Sequence, residues 1–294
     1  MKVLAIIHGA RSLKSSVKRV LAIYSTDSRF TYRELLTTHS GHAKAIANEV
    51  KSQVDLIILY GGDGLINEVI NGLCTSDGAN PKLLIIPGGT GNDFIRSTER
   101  TYHLNPDLIE IFNQPGTKVP IPYCKTDQEM RYFLNITDVG FGGHVVNSLT
   151  GFRKYLGTNA SYILAVLRTF VNYRAKSMRL QLNKHDQTMP LFMVAVCHGS
   201  TFGDGMIIAP GKKPNKTCFN VVVFGKISII DYLKNLIKLK RGIPLTHPAV
   251  TYYEASELWL SSTNEDALGE TDGEPIQGKS FEFGFSDHWV NVLS

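Results

Sequence analysis

LIILYGGDGLINEVINGL, residues 56–73, decides the fold. Leu56–Tyr60 is a continuous apolar run, the mark of a strand covered on both faces. Gly61-Gly62-Asp63-Gly64 interrupts it, and Leu65–Leu73 then repeats its apolar residues at helical spacing. Toward the N-terminus, Val3–Ile7 reads as another buried strand, Val17–Tyr24 as a helix and Phe30–Leu36 as a strand. Gly41–Val50 follows as a helix with Ala43, Ile46, Ala47 and Val50 on one face. Toward the C-terminus, Leu83–Ile86 gives a further strand. Strand and helix in strict turn predict an α/β N-terminal domain with a parallel sheet and helices on both faces. Ligands of such sheets gather beyond the carboxyl ends of the strands.

From about residue 123 the rhythm changes. Arg131–Thr137, Met178–Leu182, Leu191–Cys197, Phe219–Phe224, Leu258–Ser261 and Phe281–Phe283 are short strand-like runs between Gly, Pro, Asn and Asp clusters. Their close spacing predicts a β-rich antiparallel sandwich as the second domain, with helices near 160–174 and 230–241. The division falls near Pro120–Pro122, giving 1–122 and 123–285, and Trp289–Leu293 is an apolar run able to cross back so that 286–294 joins the first domain. Two domains suit 294 residues. Composition agrees: 43% hydrophobic and 19% charged residues exclude a disordered or fibrous chain. Lys+Arg 31 against Asp+Glu 26 gives +5, which permits an anionic partner but lacks the basic stripe of a nucleic-acid binder. Cys74, Cys124, Cys197 and Cys218 form no CxxC pair and read as reduced thiols. Neither a signal-peptide core nor a transmembrane run is present, so a cytoplasmic location is expected.

Two glycine-rich loops carry the chemistry. Gly61-Gly62-Asp63-Gly64 follows a strand and opens a helix, where bare backbone and a helix N-terminus suit a phosphate. An aspartate there repels phosphate unless a divalent cation lies between, so Asp63 is a candidate ligand of nucleotide-bound Mg²⁺. A tight turn with Asp63 as helix cap accounts for the same four residues. Pro87-Gly88-Gly89-Thr90-Gly91-Asn92-Asp93-Phe94, after the next strand, adds three glycines and a dense set of hydrogen-bonding groups. Two such loops on neighbouring strand ends point to a nucleotide site. Neither matches a Walker A or GxGxxG motif.

GGDGLINEVINGL followed by PGGTGNDFIRS resembles the catalytic domain of the soluble bacterial diacylglycerol kinases, within a superfamily that includes NAD kinases and phosphofructokinases. Thr37–Ala43 (TTHSGHA), Asp138–Val145 (DVGFGGHV), Gly203–Pro210 (GDGMIIAP) and Asp272-Gly273-Glu274 occur in the family's order, so the resemblance covers nearly the whole chain. It implies phosphoryl transfer from ATP to the hydroxyl of a membrane lipid alcohol, with ATP and Mg²⁺ between the domains. By position, Gly61, Gly62, Asp63, Gly64, Asn67 and Glu68 line phosphates and metal. Thr37 and Thr90 contact the nucleotide, Gly89, Asn92 and Asp93 shape its pocket, and the phosphate loop falls on His8-Gly9-Ala10-Arg11-Ser12.

A lipid hydroxyl needs a carboxylate to take its proton. Asp272 and Glu274, two apart, share a face if the strand is extended. The family pattern makes Glu274 the acceptor, with Asp272 next. A DG hairpin turn carrying two solvated acids is the alternative reading.

Three positions depart from the family. Leu65 stands where a threonine is usual, leaving only its backbone amide for a ligand. His8–Ser12 replaces an N-P-x-x-G loop. Asn215-Lys216-Thr217-Cys218 replaces a D-D-G segment that holds a structural Mg²⁺ in relatives, so that metal is expected to be absent, with the Lys216 ammonium in its place.

Ile230–Arg241 carries Lys234, Lys238, Lys240 and Arg241 beside Leu233, Leu236, Ile237 and Leu239. It reads as a basic amphipathic helix making transient contact with the inner face of a membrane, or as an ordinary surface helix. Tyr162–Tyr173 reads as an acyl groove or as core. Two other functions fit parts of the pattern: a kinase of a soluble substrate such as NAD, and a regulator that has lost turnover. Open sandwich edges allow a homodimer.

Overall fold

The structure, a computed structural model, describes residues 1–10, 12–75, 80–98, 107–152, 158–203 and 205–293, with side chains for all of these except 150–152 and 158–163. The chain opens with β1 (Lys2–Ile7), α1 (Ser15–Thr26), β2 (Thr31–Leu36), α2 (His42–Val50), β3 (Leu56–Gly61), α3 (Asp63–Leu73) and β4 (Lys82–Pro87). Short helices α4 (Asp93–Thr98) and α5 (Leu108–Asn113) follow. The second half contains β5 (Thr117–Thr126), β6 (Met130–Tyr132), β7 (Ile136–Gly140), α6 (Phe141–Phe152), α7 (Thr158–Asn172), β8 (Lys176–Leu182), β9 (His185–Leu191) and β10 (Met193–Cys197). It ends with β11 (Thr201–Phe202), β12 (Met206–Ile207), β13 (Phe219–Phe224), α8 (Ile229–Lys240), β14 (Val250–Ala255), β15 (Leu258–Ser262), β16 (Ala267–Thr271), β17 (Glu274–Gly278) and β18 (Ser280–Leu293).

Strands β2-β1-β3-β4 run parallel, with β3 and β4 in register from Leu56 opposite Lys82 to Gly61 opposite Pro87. The first half therefore has the α/β architecture that its alternating pattern predicts. β1 and β3 are buried along almost their whole length because helices cover both faces. Leu65, Ile66, Val69 and Ile70 of α3 pack on one face with Ile57 and Leu59, while Val17, Leu21 and Tyr24 of α1 pack on the other with Ile58 and Tyr60. The second half is an antiparallel sandwich. One layer is β18-β15-β8-β9 with β5 and β6, and the other is β14-β13-β10-β7-β16-β17. Phe281, Phe283, Leu258, Val194 and Val221 fill the space between them. Helices α6, α7 and α8 cover the outer face of the second layer, packing Val145, Val166 and Leu239 against Ala195, Val222 and Phe224.

β18 belongs to both halves. Its start pairs antiparallel with β15 and β5, and Val292 and Leu293 pair parallel with Leu83 and Leu84 of β4. A bulge between Phe285 and Trp289 turns the strand from one task to the other. Pro120–Pro122 lies inside β5, opposite β18, so the chain passes between halves on a paired strand instead of a linker.

One expectation changes here. The run expected as one strand, Arg131–Thr137, splits into β6 and β7 because Phe133–Asn135 leave the ladder to hold a side chain described below. The Asp138–Val145 stretch spans the end of β7 and the start of α6 at Phe141.

Candidate active site

The four loops after β1, β2, β3 and β4 meet at the carboxyl edge of the parallel sheet. Backbone bonds carry the ladder past the strand ends: His8 N–H donates to Tyr60 O, Thr37 N–H to Ile7 O and Gly88 N–H to Gly61 O. In the first loop Gly9 N–H donates to Thr37 Oγ1 at 3.2 Å and Ala10 N–H to His8 Nδ1 at 3.3 Å, while Ser12 O accepts from Tyr60. Arg11 lies outside the described residues, as does Asp204 of the GDGMIIAP stretch.

Gly62 caps α3 without a side chain, so the first amides of that helix have no side-chain acceptor. Gly62 and Gly89 approach so closely that a Cβ on Gly89 would sit 2.5 Å from the Gly62 Cα. Only glycine at both places lets the two loops lie side by side. Asn92 holds the second loop closed. At φ 52° its Oδ1 accepts from Gly89 N–H and its Nδ2 donates to Gly89 O, both at 2.9 Å. Asp93 Oδ1 accepts from Gly205 N–H of the second half at 2.9 Å. Thr90 and Gly64 are exposed on this edge.

Asp63 ties the loops together. Its Oδ1 accepts from Phe94 N–H at 3.0 Å, capping α4 instead of its own helix. A Cβ on Gly91 would come within 3.1 Å of Oδ2, so glycine keeps space at that oxygen. A hard carboxylate oxygen in a glycine-lined cradle fits a Mg²⁺ carried by phosphates.

Three residues expected at the phosphates have other tasks. The Leu65 side chain is 4% exposed and packs in the core beneath Gly61, so it offers a ligand nothing. Glu68 spends both oxygens on the start of α2, accepting from Gly41 N–H at 2.8 Å and Ala43 N–H at 3.0 Å. It is a cap supplied from another helix, and it shapes the 37–43 segment. Asn67, one turn beyond Asp63, donates to Asp272 Oδ2 at 3.1 Å and to Tyr132 O at 3.2 Å. That pair of bonds joins the phosphate-loop helix to the second half.

Asp272-Gly273 is a type I′ hairpin turn between β16 and β17, with φ 48° and 90°. Asp272 and Glu274 therefore leave the turn on different arms, and the expectation of one shared strand face fails. Nor is Asp272 a solvated turn acid. Oδ2 accepts from Leu134 N–H at 2.8 Å and from Asn67, and Oδ1 from Asn135 N–H at 3.0 Å and Ile136 N–H at 3.2 Å. Burial pushes the carboxyl up to about 6 against the pull of these donors. Its four acceptor directions are all used, which leaves none for a substrate proton and makes Asp272 a positioning residue. Glu274 is exposed at the start of β17.

The sequence reading missed the groups beneath this turn. Asp138 of β7 and Glu270 of β16 are cross-strand partners, both buried, at 2% and 6% exposure. Burial pushes Asp138 up to about 7, and burial together with the Asp138 charge holds Glu270 well above the usual carboxylate range. Glu270 Oε2 accepts from Gly273 N–H, and Asp138 Oδ1 from Gly143 N–H at 3.1 Å, so the pair braces the turn against α6. Lone acids in the apolar runs ITDVGF and ALGET were the available signal. Ser97 and Asn135 were also missed: Ser97 donates to Asn135 Oδ1 at 2.8 Å and accepts from Ser200 and Thr201 N–H, linking α4 to the second half.

The buried pair makes stability depend on pH. Above about pH 6.5 the unfolded chain's carboxylates are ionised and its histidines neutral, whereas the folded pair retains a proton. The folded state then binds more protons, so stability falls as pH rises, by about 1.4 kcal/mol per pH unit for each proton retained, until the pair ionises. Melting temperature should decline as pH rises above about 6.5, and decline less in Glu270→Gln. Equal slopes in the two proteins would contradict this assignment.

The position expected to replace a structural metal, Lys216, is not buried. The buried lysine of that segment is Lys212, at 9% exposure, whose ammonium is held below its usual pKa by burial. Its electrostatic neighbours include Cys218, Glu254, Cys197 and Lys216. Among the described residues no three His, Cys, Asp or Glu side chains gather as a metal site. Soft thiols beside an ammonium do not suit Mg²⁺.

A parallel-sheet half with phosphate-type loops facing a β-sandwich defines a kinase fold of the NAD kinase type. Residues 2–120 match the family described as diacylglycerol kinase catalytic domain, and residues 138–292 match the YegS C-terminal NAD kinase beta sandwich-like domain. The chain belongs to the diacylglycerol kinase family of lipid kinases. A protein named diacylglycerol kinase from Staphylococcus haemolyticus is 29% identical over 284 residues, covering 92% of this chain and 81% of that one. Among solved structures, a diacylglycerol kinase from Bacillus anthracis superposes with a TM-score of 0.69 at 19% identity over 99% of this chain and 96% of its own. An NAD kinase from Archaeoglobus fulgidus in complex with ATP gives 0.54 at 12% identity over 100% and 94%. At such identities the two structures establish the fold alone.

Proposed function

We propose that this chain transfers the γ-phosphate of ATP, with Mg²⁺, to the hydroxyl of diacylglycerol or a related membrane lipid alcohol. The observation that carries the reading is the Asn67–Asp272 hydrogen bond, which fastens the phosphate-loop helix to the hairpin bearing Glu274. In this reading residues 1–122, closed by 286–294, hold ATP, and 123–285 supply the acceptor side. His8–Ser12, Thr37, Gly61–Gly64 and Gly89–Asp93 hold the nucleotide, and Asp63 Oδ2 holds the cation. Bound Mg²⁺ neutralises charge on the phosphate oxygens. The lipid oxygen bonds to the γ-phosphorus, the bond from that phosphorus to the β–γ bridging oxygen breaks, and Glu274 takes the hydroxyl proton.

The route to the lipid is a peripheral, cytoplasmic-side contact. No helix among the described residues is long and apolar enough to cross a membrane. On α8, Leu239 faces the core, while Ile230, Leu233 and Ile237 form an exposed stripe at 59%, 53% and 62%. Lys234, Lys240 and Arg241 flank the stripe. On α7, Leu164, Leu167 and Val171 are also exposed, so that helix is core on one side only. Phe170 packs on Tyr232 with ring centroids 5.2 Å apart, joining the two helices. Burying three such side chains yields on the order of 2 kcal/mol each, enough for transient anchoring beside basic groups.

The test uses labelled ATP, Mg²⁺, vesicles containing diacylglycerol or other lipid alcohols, and NAD in a separate arm. Label should pass into a lipid extract, and Ile237→Glu should lower that rate on vesicles while leaving ATP affinity unchanged. Labelled NADP, or no transfer despite ATP binding, would overturn the reading.

A further inference from the structure

Among the buried side-chain polar atoms that lack a hydrogen-bond partner in the described structure, three line one cavity: Tyr173 OH, Thr169 Oγ1 and His144 Nε2. The cavity measures about 600 Å³ and lies between α6, α7 and the start of β8. Thr169 and Tyr173 are 5% and 6% exposed, so water does not satisfy them from outside. The Tyr173 ring cannot swing away, because it is packed edge-on against Phe192 at 5.3 Å and Phe141 at 6.1 Å. The His144 ring lies 4.6 Å from it.

The rim is basic. Lys176 Nζ meets Glu265 Oε1 at 2.9 Å, Arg174 donates to the Val171 and Tyr173 carbonyls, and Arg168 is exposed on the next turn of α7. Arg168, Arg174 and Lys176 thus line the same rim as Glu265. A buried hydroxyl left unpaired costs stability, and two of them beside a basic rim suit a compact oxyanion that accepts from both. We propose that this cavity is a second anion site, separate from the nucleotide loops, that binds the phosphate of a phosphate monoester. Tyr173 and Thr169 donate to its oxygens, and Lys176 with the two arginines supplies charge.

That chemistry has two sources, a soluble sugar or glycerol phosphate and the headgroup of a lipid phosphate. Both can reach the cavity, since Arg168 and Asn172 sit on α7 between its mouth and the exposed stripe of Leu164, Leu167 and Val171. Burial and the Lys176 charge hold His144 below its usual pKa, leaving a neutral ring able to donate or accept.

Calorimetric titration of the full chain with inorganic phosphate and with glycerol phosphate tests the soluble source. Sedimentation with phosphatidylcholine vesicles, with and without phosphatidic acid, tests the lipid source. Tyr173→Phe and Thr169→Val keep shape and remove only the hydroxyls, so the difference from the unaltered chain isolates this cavity from the ATP loops. Each variant should weaken one of these interactions about tenfold and lose the phosphate-dependent rise in melting temperature, with ATP affinity unchanged. Loss in the calorimetric arm assigns a soluble ligand, and loss of the phosphatidic acid dependence assigns a lipid. Equal binding by the unaltered chain and both variants, or melting temperatures that rise in the variants with an unchanged phosphate response, would overturn the proposal.

Discussion

Glu274→Gln lowers kcat for lipid phosphorylation by about three orders of magnitude, within the range that a positioned general base contributes, and leaves ATP affinity and melting temperature as they were. Glutamine matches glutamate in shape, and the side chain lies exposed at the head of β17, so little stability is at stake. The amide cannot accept a proton from the substrate hydroxyl. Asp272→Asn separates the two carboxylates. An amide there turns an NH₂ group toward backbone donors that now meet an acceptor, so stability falls on the order of 2 kcal/mol as well as activity. Near-normal turnover in Glu274→Gln would move the proton acceptor elsewhere.

The second large effect belongs to Asp63. Asparagine keeps an oxygen for Phe94 N–H, so α4 remains capped and the two glycine loops stay together. What disappears is the charge at Oδ2 beside Gly91. Turnover should fall by about two to three orders of magnitude, the scale of losing one preorganised electrostatic contact, and the Mg²⁺ concentration for half-maximal rate should rise. Kinetics across a Mg²⁺ series read both. A variant with lower turnover but an unchanged Mg²⁺ requirement would confine Asp63 to capping.

Much of the fold is legible in local periodicity. Residues 56–73 give β3, α3 and the loop between them because buried parallel strands are continuously apolar and α3 carries a single apolar face. What escapes is set by partners far away in sequence. Arg131–Thr137 has the composition of one strand, yet its middle is diverted to hold Asp272. Phe141–Phe152 hides its helix behind Gly142 and Gly143, which weaken helical propensity. A Cβ at Gly143 would fall 2.6 Å from the Gly269 backbone, so that glycine serves close packing of the helix on β16, while one at Gly142 would run into the Asp138 carboxylate.

The site divides the same way. Glycine loops announce themselves, because few other needs put so many glycines after a strand. The direction in which a polar side chain points is not written locally. Glu68 looks like a phosphate-loop residue and reaches back to α2, while Asn67 beside it reaches across to the hairpin. Asp138 and Glu270 become a pair only when β7 meets β16.

The double membership of β18 bears on how the molecule comes into being. As the chain is made, β1, β2, β3 and β4 are complete early, but the open side of β4 stays without its partner until residues 292 and 293 exist. This early sheet therefore waits for residues made about two hundred positions later. Its sheet closes only after the sandwich strands between have been made, so the slow, long-range pairings dominate assembly. One transition should carry both halves, and during synthesis the exposed margin of β4 is the surface most in need of shelter from neighbouring chains.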